Sequence, residues 1–189
     1  MIKTCIYTVV LNQYDFIFPP AVKDKDIDFF LITDDIQKSV KGWKTIPIKK
    51  SLKDMSPILV NRYYKMMPHL VFSNYDVSIY IDGNITAIGL LEDFIKNFFH
   101  SEFSIGLIKH PTVLNALEDI KHCIKLNKIT DQKKLESEYQ NYLDDGFLDN
   151  EVYTENNVII RKHNYPKVIK AMELWWKCFE KSFNKRDQI

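Results

Sequence analysis

At 189 residues, with 46% apolar and 27% charged side chains, the chain has the composition of one soluble globular domain, neither disordered nor fibrous. A formal net charge of +1 gives no global electrostatic reason to expect nucleic acid or an anionic membrane as partner. Only five glycines occur, without a Walker A or G-x-G-x-x-G pattern, which argues against a glycine-rich phosphate loop.

In chain order, Cys5 to Leu11 is a continuous β-branched and apolar run, as expected of a strand buried on both faces of a parallel sheet. It is too short for a membrane span and lacks a small-residue cleavage site, and no other segment approaches membrane length. The polar turn Asn12-Gln13-Tyr14-Asp15 stops it, and Pro19-Pro20 forbids regular structure beyond. Asp28 to Thr33 is a second strand, ended by Asp34-Asp35. Gly42 to Ile48 is a shorter third, placed near an edge by Pro47.

Ile58 to Phe72 has helical periodicity, with Pro68 expected to kink it or end it early. Val77 to Ile81 is a strand with Asp82-Gly83-Asn84 at its carboxyl end. Leu90 to Phe99 is an amphipathic helix and Phe103 to Ile108 another strand. Thr112 to Lys128 and Asp131 to Leu143 are helices, Asn157 to Arg161 a short strand, and Tyr165 to Phe183 a helix whose Trp175, Trp176 and Phe179 are expected to pack onto the sheet, the alternative being an exposed tryptophan that stacks on a sugar ring. Strands separated by helices predict an α/β fold, a mostly parallel sheet flanked by helices on both faces, in a single domain over 1–189. Cys5, Cys123 and Cys178 are far apart and odd in number, which indicates neither a zinc site nor a disulfide framework but reduced thiols in a cytoplasmic protein.

Ligands of an open α/β sheet bind outside the carboxyl ends of its strands. The polar groups expected there are Asn12 to Asp15, Asp34-Asp35 and Asp82-Gly83-Asn84, then Lys109-His110 and Arg161-Lys162-His163 after later strands. Asp82 and Asn84, two residues apart in extended chain, point to the same side and can reach one hard cation such as Mg2+ or Mn2+. The alternative is a hairpin, because Asp-Gly and Gly-Asn suit type I′ turns. Arg62, Lys65 and His69 share one helical stripe that either meets a diphosphate or is simply a solvated face. Glu118-Asp119 reads as a solvated pair on its helix, and Arg186-Asp187-Gln188 as a polar tail.

Several stretches together resemble a glycosyltransferase-like family with plant mucilage-related and bacterial capsule-related members. They are Asp28 to Asp35 followed by Gly42-Trp43-Lys44, then Arg62-Tyr63-Tyr64-Lys65 with Pro68-His69-Leu70, and, most specific, Ser78 to Ile85. Lys109-His110-Pro111 and Arg186-Asp187-Gln188 complete the series. The resemblance implies a GT-A-like (Rossmann-like) fold holding a nucleotide-diphosphate sugar donor and a divalent cation (Mn2+ or Mg2+) at the strand ends, with a glycan or other hydroxyl acceptor. Asp82-Gly83-Asn84 then stands in the place of a D-x-D metal motif, with Asn84 replacing the second acid. Val113, Asn115 and Leu117 stand where family members carry an Arg, a Cys and a Tyr, while Glu118 is kept. Family members continue beyond the Arg-Asp-Gln motif, whereas this chain stops at Ile189, so it is either naturally short or a fragment.

On this basis Asp82 and Asn84 are the expected metal ligands, with His163 either a third ligand, a diphosphate contact or simply structural, and Arg62 and Lys65 are the diphosphate contacts. Asn12, Tyr14 and Asp15 are assigned to the nucleoside. Asp187 is the general base for an inverting transfer, or orients the acceptor in a retaining one. The expected activity is metal-dependent glycosyl transfer. The competing expectation is a non-catalytic nucleotide-sugar-binding module, and last comes a nucleotidyltransferase, whose glycine-rich basic N-terminal loop is missing.

Overall fold

Every residue of strand β1, Thr4–Val10, is buried, as its unbroken apolar and β-branched run requires. In the computed structural model, which describes residues 2–127, 131–149, 152–183 and 185–187, there follow β2 (Ala21–Val22), β3 (Ile27–Thr33), β4 (Lys44–Pro47) and helix α1 (Pro57–Met66). Next come β5 (Val77–Ile81), β6 (Ile88–Gly89), α2 (Glu92–His100), β7 (Ile105–Lys109), α3 (Ala116–Lys125), α4 (Gln132–Asp144), β8 (Thr154–Arg161) and α5 (Pro166–Lys181). Lys128 and Gln188, which the sequence pattern included in a helix and in the terminal motif, lie outside the described residues.

The chain forms two compact units, Met1–Gly106 with Asn157–Trp176, and Leu107–Asn156 with Lys177–Ile189. The six-stranded sheet has the order β4-β3-β1-β5-β8-β7, and β2 and β6 form a separate parallel pair. β1 pairs in parallel with β3 and β5, and β3 with β4. β4, which carries Pro47, is one of the two edge strands, where a proline is tolerated. The α/β class with a mostly parallel sheet is therefore the one expected.

The direction of β8 differs from expectation. It runs antiparallel to β5, pairing Ile81 with Val158 and Ser78 with Arg161. Its carboxyl end thus lies beside the amino end of β5, at the opposite sheet edge from Asp82. Arg161-Lys162-His163 do not join the other strand ends, and His163 is not a third metal ligand. Its ring is fully buried, with Nε2 2.8 Å from the Phe72 carbonyl oxygen.

In the first unit, side chains alternate between the sheet faces with period two. Cys5, Tyr7 and Val9 pack with Val60 and Tyr64 of α1 on one face. Ile6, Ile79 and Ile81 pack with Ile95 of α2 on the other. Trp176 stands edge-on to Tyr63 of α1, ring centroids 5.4 Å apart. In the second unit, Asn115 and Asp131 accept from Glu118 and Lys134 amides to cap α3 and α4, and the Asp149 carboxylate accepts from the Ala116 and Leu117 amides.

A proline sets the end of α1. Ser56 caps the helix and Pro57 opens it, but Pro68 has no N–H for the Tyr64 carbonyl four residues back. The helix stops at Met66, and Pro68–Leu70 form a 3-10 turn. The Tyr7 hydroxyl donates to the Tyr64 and Lys65 carbonyls at 3.1 and 3.2 Å. Arg161, fully buried, donates to the Lys65 carbonyl and to the Tyr7 oxygen, both at 2.7 Å. A guanidinium at the negative end of the helix dipole is the favourable arrangement. Tyr7→Phe removes this hub and leaves buried acceptors and an Arg161 donor short of a partner. It is expected to lower unfolding free energy by about 1–3 kcal/mol, measured by urea denaturation.

Candidate functional site

The first unit carries a cleft of about 500 Å3 at the carboxyl ends of β1 and β5. Asn12, Tyr14, Asp15, Arg62, Asp82 and Asn84, singled out in the sequence as ligand-binding groups, all line it. A second cavity of about 480 Å3 in the same unit has an apolar floor that includes Ile2, Ile27 and Ile95. Three of its acids are engaged locally: Asp76 accepts from the Lys3 amide, Asp24 from the Leu91 amide, and Glu92 pairs with Lys96.

Beyond β1 the chain makes a turn that few residue types tolerate. Asn12 and Gln13 both take left-handed conformations, φ +52° and +54°. The Asp34 carboxylate, at the end of β3, holds this turn by accepting from the Asn12 amide at 3.1 and 3.2 Å. Asp34 thus anchors the loop that follows β1. The turn brings Asp15 against Gly83. A Cβ built on Gly83 would stand 2.6 Å from Asp15 Oδ2 and 2.8 Å from Val10 Cγ2, so only glycine lets the two loops meet.

Asp82 follows directly from β5. Its amide donates to the Asn157 carbonyl, and its own carbonyl accepts from the Ile85 amide, closing a turn over Gly83-Asn84. Neither Gly83 nor Asn84 has positive φ, which a type I′ hairpin needs at both positions. The chain then runs on to β6, which pairs with β2. The hairpin alternative is excluded, and Asp82 faces the cleft.

The Asp82 carboxylate is held from behind. Tyr80 Oη donates to Oδ1 at 2.7 Å, and the Lys65 ammonium lies 3.7 Å from the same oxygen. Lys65 is only 2% exposed and its Nζ sits 4.9 Å from the centre of the Tyr80 ring. It does not line the cleft, so its expected role as a diphosphate contact is corrected: its burial turns the ammonium toward Asp82. At an effective dielectric of about 20, unit charges about 4 Å apart attract by about 4 kcal/mol before desolvation is counted. Arg62 does reach the cleft. Its Nη1 donates to Asn61 Oδ1 at 2.5 Å, and Asn61 Nδ2 donates to the Val9 carbonyl at 2.8 Å, tying the guanidinium to β1. His69 leaves the stripe because α1 ends before it.

Tyr80 and Asn61 were not anticipated as part of the site, whereas Asp34 was expected at the strand ends but not as the support of the Asn12 turn. Tyr80 carried a signal, since it lies two residues before Asp82 and so on the same side of the strand. Asn61 and Asp34 act through backbone groups that a sequence pattern does not reveal.

The remaining candidate residues lie in the second unit. His110 Nδ1 accepts from the Val113 amide at 2.8 Å and caps that turn. Asp119 is not half of a solvated pair. It is buried, accepts from Tyr153 Oη at 3.0 Å and pairs with Arg186 at 3.3 Å. Asp187 is buried, and its backbone carbonyl accepts from Asn156 Nδ2 at 2.7 Å.

Among the described residues, no three His, Cys, Asp or Glu side chains converge as a ready-made metal site. No helix among them is long and apolar enough to cross a membrane. The family described as "TOD1/MUCI70, glycosyltransferase-like domain" matches residues 24–189. No curated protein matches the chain. Solved structures similar to it include two glycosyltransferases. One is described as a "WbbM bifunctional glycosytransferase apo structure", at 9% identity and TM-score 0.47, covering 95% of this chain and 34% of that one. The other is mouse xyloside xylosyltransferase 1, apo form, at 8% identity and TM-score 0.47, covering 99% and 79%. The chain thus spans about a third of the length of the first.

The geometry predicts two outcomes. Gly83→Ala forces Asp15 and Val10 aside and is expected to cost about 1–3 kcal/mol of unfolding free energy in urea. Burial first, then the Asp82 charge, raise the Asp15 pKa above its ordinary value. A raised carboxyl pKa gives stability that is fully present below the ordinary value and declines as pH rises through the folded one. Asp15→Asn removes that decline. The variant should be at least as stable as the wild type at neutral pH, with the difference vanishing near pH about 4, by urea midpoints at both conditions.

Proposed function

The chain belongs to the TOD1/MUCI70 glycosyltransferase-like family, and from that premise we propose that it moves a sugar from a nucleotide-diphosphate donor to a hydroxyl acceptor with a divalent cation. The observation that carries this proposal is the cleft in which Asp82, Asp15, Asn84 and Arg62 meet at the ends of β1 and β5. An acid presented by a turn over Gly83, beside a second acid and a guanidinium, suits a diphosphate held through a cation.

The donor set fits such an ion. Two carboxylates and an amide are hard oxygen ligands, and Mg2+ sites are commonly completed by one or two carboxylates with substrate phosphates and water. Asp82 and Asn84 are the proposed ligands, with Asp15 joining them. Charge also closes: Asp15 and Asp82 balance Arg62 and Lys65, and a divalent ion balances a doubly charged diphosphate ester. A bound Mg2+ or Mn2+ supplies neutralisation of the negative charge that develops on the diphosphate.

The chain's own groups do the rest. Arg62, fixed by Asn61, donates to diphosphate oxygens that gain charge as the bond from the anomeric carbon to the diphosphate oxygen breaks. Asn12 and Tyr14, at the mouth of the same cleft, contact the nucleoside. The acceptor oxygen forms the new bond to the anomeric carbon, and its proton passes to a carboxylate, for which Asp187 is the proposed group. The reduced, cytoplasmic setting belongs to the same proposal, supported by Cys5 and Cys123 being buried free thiols.

One observation favours a second reading, a module that binds the donor without transferring it. Asn84, exposed at the cleft, brings an oxygen but no charge to the position where the resemblance implies an acid. A donor-hydrolysis assay with Mn2+ across a panel of nucleotide sugars separates the two, since binding without turnover supports the module.

Asp82→Ala should reduce Mn2+-dependent donor hydrolysis at least about hundredfold in a chain that still folds by circular dichroism, although with a lower melting midpoint because buried Lys65 loses its partner, and surviving activity would remove the metal assignment. Arg62→Ala should weaken nucleotide-diphosphate binding by about tenfold in calorimetry, and equal affinity would return Arg62 to a surface role.

A further inference from the structure

We infer that Lys65 is an internal counter-ion that keeps the donor-free site from holding a divalent cation tightly, so that the ion enters with the diphosphate. This rests on the proposed cation seat at Asp82 and adds to it a residue that governs when the seat is filled.

Lys65 is buried to 2% exposure at the end of α1, and its ammonium lies 3.7 Å from Asp82 Oδ1, while the Asp82 side chain remains 37% exposed toward the cleft. Its main chain is fixed as well, because the Lys65 carbonyl accepts from both Tyr7 and Arg161. With the main chain fixed, only the side chain can carry the ammonium away from an arriving ion, and at 2% exposure beside the Tyr80 ring it has little room to do so. An ion bound to either Asp82 oxygen, at ordinary coordination distances, comes within about 8 Å of Lys65 Nζ, inside the screening length of physiological salt.

Two effects of removing the charge oppose each other. Losing Lys65 takes one restraint from the Asp82 carboxylate, which weakens cation binding. It also takes away a like charge, which strengthens it. The restraint is duplicated, since Tyr80 Oη still holds Oδ1 at 2.7 Å. The repulsion acts on a doubly charged ion, so the electrostatic effect prevails. A diphosphate reverses the situation by bringing negative charge that both Lys65 and the ion attract.

The test counts bound Mn2+ from the free-ion EPR signal in the full chain, with and without a nucleotide diphosphate. Lys65→Met should raise the affinity for Mn2+ alone by about tenfold, and Lys65→Arg, which keeps the charge, should match the wild type. Burying methionine in place of one member of an ion pair is compatible with folding because Asp82 can still be solvated. If Lys65→Met does not fold, Lys65→Gln carries the same comparison. Affinity that is unchanged or lower in the uncharged variant overturns the counter-ion role. If the wild type binds no Mn2+ even with nucleotide present, the cation seat itself is wrong, and the counter-ion role falls with it.

Discussion

The missing N–H of Pro68 is the constraint from which the site is built. It leaves the last carbonyls of α1 without helical donors, and the core answers with Tyr7 from β1 and Arg161 from β8. Those bonds join three elements at one buried point and fix the main chain of Lys65. The ammonium of Lys65 is thereby set within ion-pairing distance of the Asp82 carboxylate. Helix termination, a buried guanidinium and the orientation of the central acid are thus one connected arrangement.

A second arrangement sets the opposite wall of the cleft. Asn12 and Gln13 hold left-handed conformations that cost free energy, and the Asp34 carboxylate stabilises them through the Asn12 amide. The result is that Asp15 lies against Gly83, where no side chain fits. Two acids are thereby held close, and the raised pKa of Asp15 expresses both its burial and that repulsion. Sites that are unfavourable for stability in this way are commonly sites that bind.

Much of this was legible from the amino-acid order. β1 and β5 stand out as apolar runs because they are central and buried on both faces, and the groups singled out at their carboxyl ends line one cleft. Pro47 marked an edge strand and Pro68 the end of α1. The direction of β8 was not legible, because an alternation of residues has no sign along the chain, and with it His163 was misplaced. Lys65 was assigned to the cleft because it lies three positions from Arg62, but that step turns it about 60° around the helix, far enough to enter the core. Asp119 resembled a surface acid because its partners, Tyr153 and Arg186, are distant in sequence.

Family membership establishes a glycosyltransferase-like domain, and the cleft brings together two carboxylates, an amide and a guanidinium, the groups on which the proposed cation and diphosphate site rests. The central claim is that a cation seated at the Asp82-Gly83-Asn84 turn holds the diphosphate. Its most direct test is an NMR titration of the 15N-labelled chain with substoichiometric Mn2+ and a nucleotide diphosphate. Amide signals of residues 12–15 and 82–85 should broaden first and most strongly. Broadening centred on any other segment, with those signals left sharp, would contradict the account.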